Sequence, residues 1–176
     1  MLGICGGMQM LGMRVEDPDG VESPPGSAVD GLGLLPLRTC MARRKITRQV
    51  RGSCLEPSLR GLEVTGYEVH VGDSEPVAEG WAPLLQLAPH PGGEELPEGA
   101  SSAGGRIWGT YLHGLFDEDG FRHGFINLLR AERGLPPLTD GRAFSAGGFM
   151  AEIDRWTQHV TAHLSAAFLE QLTRQA

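Results

Sequence analysis

Two residues in this sequence have the types and settings that covalent acyl chemistry needs: a cysteine at position 5 and a histidine at position 113. Cys5 stands in Gly3-Ile4-Cys5-Gly6-Gly7-Met8-Gln9-Met10-Leu11-Gly12, which reads as a short apolar strand that stops at the thiol and turns at once into a helix. Such an elbow lifts the sulfur clear of the backbone, and helix N-terminal amides favour the thiolate, the form that attacks. Gly6 and Gly7 are expected to permit the tight bend and the approach of a substrate to the backbone. The nucleophile needs a base, and the histidines are His70, His90, His113, His123, His159 and His163. His113 is best placed, because it ends the strand-like run Arg106 to Tyr111 beside Gly114, where a side chain can project from a sheet edge into a crevice. His70, in Tyr67-Glu68-Val69-His70-Val71-Gly72, reads equally as a substrate-site residue or as a packed histidine. His159 and His163 stand four apart on a helix, a spacing that can ligate a metal. They lack the HExxH glutamate or any clustered third ligand, so no metal site is expected.

The elements that must position these groups follow from periodicity and punctuation. The elbow helix should end near Gly12, and Asp17 to Asp30, dense in Pro, Gly, Ser and acids, should be an exposed loop. Gly33–Met41, Ile46–Leu55, Val64–Val71 and Leu84–Ala88 read as strands, and residues 89–105 as loop. A helix is predicted from about Asp119 to Arg133, with Phe121, Phe125, Leu128 and Leu129 at helical spacing and Gly134 and Pro136-Pro137 ending it. A last helix carries one apolar stripe, Phe149, Ile153, Trp156, Val160, Leu164, Phe168 and Leu172, expected to pack in a core. An elbow strand belongs in the middle of a parallel sheet, buried on both faces. With nothing before Met1 to supply neighbours, the chain is expected to be a C-terminal piece of a larger protein or to have a start assigned too late.

The chain has 176 residues, 40% of them hydrophobic, enough for one core. A net charge of −7 argues against a nucleic-acid surface. The basic run Arg43-Arg44-Lys45, with Arg48 and Arg51, reads as a solvated strand or loop, the alternative being contact with an anionic ligand or partner domain. Three cysteines, Cys5, Cys40 and Cys54, form no CxxC pair and suggest a reducing compartment. Met1 to Met13 lacks the basic flank of a signal peptide and no run is long enough to span a bilayer, so a cytoplasmic location is expected, with no membrane partner.

Four segments occur together in a telling order: the elbow, Gly31-Leu32-Gly33-Leu34-Leu35-Pro36, Gly66-Tyr67-Glu68-Val69-His70-Val71-Gly72, and Gly109-Thr110-Tyr111-Leu112-His113-Gly114-Leu115-Phe116. In these the chain resembles, from Gly3 to about Arg130, the class I (triad-type) glutamine amidotransferase domain of the cobyric acid synthase family. The resemblance implies an α/β, class I glutamine amidotransferase-like (flavodoxin-like) sandwich, truncated at its N-terminus, with residues 1–176 a partial glutaminase domain and an N-terminal synthetase domain absent. It implies Cys5 as nucleophile and His113 as base, and an oxyanion and substrate site drawn from Gly6, Gly7, Gln9, Glu68 and His70. It also implies glutamine as substrate, a corrinoid reached through the synthetase domain, and ATP and Mg used there; this chain, without GxxxxGK[ST], is expected to bind no cofactor. A second oxyanion donor is expected upstream of Met1. Losing one donor costs roughly a hundredfold to a thousandfold in rate, so the isolated chain should be a poor glutaminase.

Two departures from the pattern stand out. Leu115 occupies the place, two residues after the histidine, where most triad amidotransferases carry Glu, and Met8 stands where an aromatic is usual. The related cobyrinate a,c-diamide synthases and cell-wall lipid amidotransferases share the elbow but differ in the middle segment. A silent interaction module and a different cysteine hydrolase are the competing readings, and an exposed edge beside the first strand is expected to favour association.

Overall fold

The computed structural model describes residues 1–139, 146–165, 168 and 171. The chain forms two units, Met1–Thr139 and Asp140–Ala176. In the first, β1 (Leu2–Ile4) runs into α1 (Gly6–Leu11), followed by β2 (Arg14–Asp17), β3 (Ser27–Asp30), β4 (Leu37–Cys54), β5 (Glu63–Pro76), β6 (Trp81–Ala82), β7 (Leu85–Pro89), β8 (Leu96–Glu98), β9 (Ala100–Ser102), β10 (Trp108–Thr110), β11 (Leu112–His113) and α2 (Asp119–Glu132).

These strands make two sheets. One has the order β1-β10-β9-β6, and in the other β11-β5-β4-β2-β3 is extended by β7, paired to β4, and β8, paired to β7. β1 and β10 are parallel, with Leu2 opposite Trp108 and Ile4 opposite Thr110. The elbow strand therefore lies at a sheet edge, its one ladder partner among the described residues being β10, rather than between two neighbours. The second sheet is built on the antiparallel pair β4 and β5, in register from Leu37 opposite Pro76 to Ser53 opposite Glu63. Where two strands were expected, at 33–41 and 46–55, one strand of 18 residues forms. Its register shifts between Cys40 and Lys45, within the basic run, which is why alternation lapses there although pairing resumes beyond. Residues 17–30, expected as loop, include β3 (Ser27–Asp30), which pairs antiparallel with β2 (Arg14–Asp17) in a hairpin. Asp17 nucleates its connection, accepting the N–H groups of Val21, Glu22 and Ser23 at 2.7–2.9 Å.

The core has two parts. Val50, Cys54, Val64, Leu85, Leu112 and Phe121 belong to the larger, and Met8, Leu11, Leu35, Leu37, Ala100 and Tyr111 form the smaller, beneath α1. Helix α2 matches its predicted span; its Phe121 is fully buried and Phe125 and Leu128 pack beside it. Phe116, Phe121 and Phe125 have ring centroids 5.1–6.4 Å apart. Gly134, at φ 63°, ends the helix in the left-handed conformation that glycine adopts without strain.

In the second unit the structure describes α3 (Ala146–His163). Ile153, Trp156, Val160, Leu164 and Phe168 of the expected core stripe are exposed, contrary to that expectation. Among the described residues of this unit α3 is the one element, and it has no second layer there to bury a stripe against. Leu172 lies outside the described residues. No described helix is long and apolar enough to cross a membrane.

Phe121→Ala leaves a cavity at a fully buried ring of the phenylalanine cluster and is expected to cost about 3–5 kcal/mol, read as a lower denaturation midpoint at unchanged slope.

Candidate active site

Cys5 leaves β1 with φ 54° and ψ −118°, and it is the one non-glycine residue at positive φ among the described residues. Such a conformation costs on the order of 1–3 kcal/mol and persists where surrounding bonds over-determine it. Here they do. The Cys5 N–H donates to Thr110 O at 2.8 Å, its carbonyl accepts Met8 N–H at 2.9 Å and Gln9 N–H at 3.3 Å, and its thiol donates to Val69 O at 3.4 Å. The strain expected of the glycines thus rests on the cysteine itself. Gly6 and Gly7 are helical, and a Cβ on either would meet no atom within 4 Å, so what they leave is open space above the first amides of α1. Gly3 is the glycine whose role the sequence did not reveal. A Cβ there would lie 2.5 Å from Gly7 O and 2.6 Å from Leu11 Cδ1, so only a bare backbone lets α1 fold back onto β1.

His113 closes β11, which pairs with β5 so that His113 stands opposite Tyr67 and Leu112 opposite Glu68. Its imidazole lies nearly parallel to the Tyr67 ring, centroids 5.9 Å apart. Its Nε2 is buried and has no hydrogen-bond partner among the described residues. A bond of this kind left unmade costs about 1–3 kcal/mol, and a proton-transfer role is one explanation for it. Cys5 and His113 are not hydrogen-bonded to one another; the thiol is engaged by Val69 O. Two ties limit how far apart they lie. Cys5 N–H is fixed to a carbonyl three residues before His113, which at up to ~3.6 Å per residue keeps the two backbones within roughly 11–14 Å, and the Cys5 thiol sits on a carbonyl two residues from Tyr67. Leu115, in the usual glutamate position, is 1% exposed and part of the core, so that place offers His113 no carboxylate.

One stretch of β5 supplies or contacts five of the expected site residues, Cys5, Gln9, Glu68, His70 and His113. Tyr67 stacks on His113; Glu68 accepts Arg48 Nε at 2.7 Å and binds His70 Nε2 at 2.8 Å. Val69 takes the thiol. His70 stacks on Tyr111 with centroids 3.9 Å apart, and Val71 O accepts the Gln9 amide at 3.2 Å, which also reaches Tyr111 Oη at 3.3 Å. His70 Nδ1 faces Gly72 O at 2.8 Å, so both ring nitrogens face acceptors, an arrangement that an imidazolium satisfies by donating twice. Burial pushes the His70 pKa down, but Glu68 and the Gly72 carbonyl more than offset it and the net shift is upward. Burial likewise pushes Glu68 up, and hydrogen bonds from His70 and Arg48 bring it below its ordinary value. Glu68 and His70, both buried, line a cavity of about 290 Å³ with Met8, Asp73, Tyr111 and Glu98. Cys5 is not part of that lining, so these two residues back the elbow through Tyr111 and Gln9.

Glu98 was invisible in the sequence, inside a segment read as loop. Its Oε2 accepts Thr110 Oγ1 and its Oε1 accepts Tyr111 N–H, each at 2.6 Å. Burial raises its pKa to about 7 against those two bonds. The basic run is exposed at the β4 register shift, where Arg43 lies beside Asp19. Cys40 is exposed, Cys54 buried, and all three cysteines are free. His163 Nδ1 bonds the His159 carbonyl at 2.7 Å.

An elbow cysteine on a parallel strand pair, with a histidine three residues past its anchoring carbonyl, fits thiol acyl chemistry of several classes, and sequence comparison gives the family. Residues 1–121 match the CobB/CobQ-like glutamine amidotransferase domain, and the chain belongs to that family, with its mixed α/β, class I glutamine amidotransferase-like fold. It is similar to cobyric acid synthases: 40% identical over 99% of its length to that of Geobacillus kaustophilus, 45% over 77% to that of Moorella thermoacetica, and 41% over 99% to that of Klebsiella pneumoniae. It spans about a third of the length of these relatives, 33%, 27% and 34% respectively.

The pH dependence of the Glu68–His70 pair follows from the two directions. The lowered pKa of Glu68 gives stability that is complete above its unfolded value, about 4.3, and lost as pH falls through the folded one; the raised pKa of His70 gives stability complete below about 6.5 and lost as pH rises through the folded one. The stability difference between wild type and Glu68→Gln is therefore expected to peak between about pH 4.3 and 6.5 and to shrink on both sides, measured by denaturant titration across pH. Arg48, charged throughout, leaves a residual difference on the alkaline side.

Proposed function

We propose that this chain is the glutaminase part of a glutamine amidotransferase. The observation that carries the reading is the strained Cys5, tied through Thr110 O to the backbone that leads to His113, whose buried Nε2 is left without a partner. Cys5 attacks the side-chain carbonyl carbon of glutamine, and His113 takes the thiol proton and returns it to the leaving nitrogen. The C–N bond breaks, ammonia departs, and a glutamyl thioester remains; water, deprotonated by His113, then releases glutamate and restores the thiol. The Gly6 amide, in the open space above the elbow, supplies an oxyanion donor. Gly7 gives the substrate room, and Gln9, Glu68 and His70 shape the site from behind.

The likeness to cobyric acid synthases supports a finer reading. Ammonia passes to an ATP- and Mg-dependent synthetase partner, which activates corrinoid side-chain carboxylates for amidation in cobalamin biosynthesis, in the cytoplasm. The free edge of β1 is the surface through which further polypeptide would add to the sheet.

Glutamate release from glutamine tests the first step. Cys5→Ser is expected to abolish it, and His113→Ala to lower it by roughly 10²–10⁴-fold. Rates equal to wild type in Cys5→Ser would overturn the reading.

A further inference from the structure

We propose that Glu98 is a positioning residue that sets the geometry of the Cys5–His113 pair; the inference rests on the reading of that pair just given. Two stretches of chain cross between the sheets side by side. The first goes from β8 to β9 at Gly99, and the second from β10 to β11 at Tyr111. The crossings touch, since a Cβ on Gly99 would lie 2.5 Å from Gly109 O. At the second crossing the backbone leaves one ladder before it joins the other, and its N–H groups need partners. The Glu98 carboxylate supplies them. One oxygen takes Tyr111 N–H and the other takes Thr110 Oγ1, which in turn accepts Leu112 N–H at 3.0 Å.

What this clamp holds is the link between the two reacting groups. Thr110 O anchors Cys5 N–H at 2.8 Å, and Leu112 leads into His113 on β5. The separation of thiol and imidazole therefore depends on the torsions of residues 110–112, which Glu98 fixes with two short charge-assisted bonds. Glu98 touches no reacting atom. It is also an expensive way to satisfy two donors. The charged groups that share its cavity are Glu68, His70 and Asp73 of β5, and burial disfavours its ionised form, so an isosteric amide removes an unfavourable charge above neutral pH.

The test uses the full chain and Glu98→Gln. Glutamate release is expected to fall about 10- to 100-fold in kcat, with KM changed less than about twofold. Alkylation of Cys5 by iodoacetamide at pH 8, read by peptide mass with exposed Cys40 as internal reference, should slow in parallel, while the melting temperature at pH 8 is not lowered. Thr110→Val, which cuts the same clamp from the other side, should give the same loss, and the double variant should be no worse than the poorer single one. Unchanged kcat and alkylation in Glu98→Gln, with alkylation still sensitive to His113→Ala, overturns the role of Glu98 alone. A kcat loss accompanied by a lower melting temperature and raised KM also overturns it, as plain structural damage. Insensitivity of Cys5 to both substitutions removes the pair itself, and the proposed function with it.

Discussion

The hydrogen bond from Cys5 N–H to Thr110 O is the contact on which the site depends. It closes the end of the parallel pair β1 and β10 at the residue where β1 stops, and it holds the cysteine in a backbone conformation that a side chain with a Cβ does not choose freely. With that bond in place the thiol meets β5, α1 packs over Gly3, and the chain beyond the carbonyl crosses at Tyr111 to the second sheet and His113. Cys5 and His113 are thus both referenced to one short stretch of chain, Thr110 to His113, rather than to two independent loops. Reactive groups held on regular elements keep their separation more closely than groups on loops.

The site differs from a three-residue relay in how the histidine is set. Leu115 is committed to the core, and among the described residues His113 makes no hydrogen bond to a carboxylate. Its ring is placed by the stack on Tyr67 and by β11 lying close against β5, an approach that needs Gly66, where a Cβ would fall 2.0 Å from His113 O. Orientation by stacking fixes the plane of the ring without fixing its tautomer. Carboxylates are nevertheless gathered close by, at Glu68 and Glu98, where they hold the scaffold on which the pair is mounted.

Much of this was legible in the sequence, for reasons that can be named. The elbow and the helix α2 are written in local signals, glycine punctuation and the spacing of Phe121, Phe125 and Leu128, whereas the strand-like run from Arg106 that ends at His113 divides into β10 and β11 on different sheets. What was not legible depends on partners distant in sequence. Segment 96–102 reads as loop because its strands are three residues each, the first containing Pro97 and the two separated by Gly99. Their pairing, and the clamp from Glu98, exist only once residues 108–113 arrive beside them. The division of labour at the elbow was hidden as well. Gly6 and Gly7 drew attention as bend-formers, but the torsional strain falls on Cys5, and the glycine that tolerates no side chain is Gly3.

The most direct test of the central claim, that Cys5 and His113 work as a thiol–imidazole pair, is covalent labelling by a diazoketone analogue of glutamine, mapped by mass spectrometry. The account predicts an adduct on Cys5, none on Cys40 or Cys54, and its suppression in His113→Ala. Labelling spread over the three cysteines, or a Cys5 adduct formed as fast without the imidazole, would contradict it.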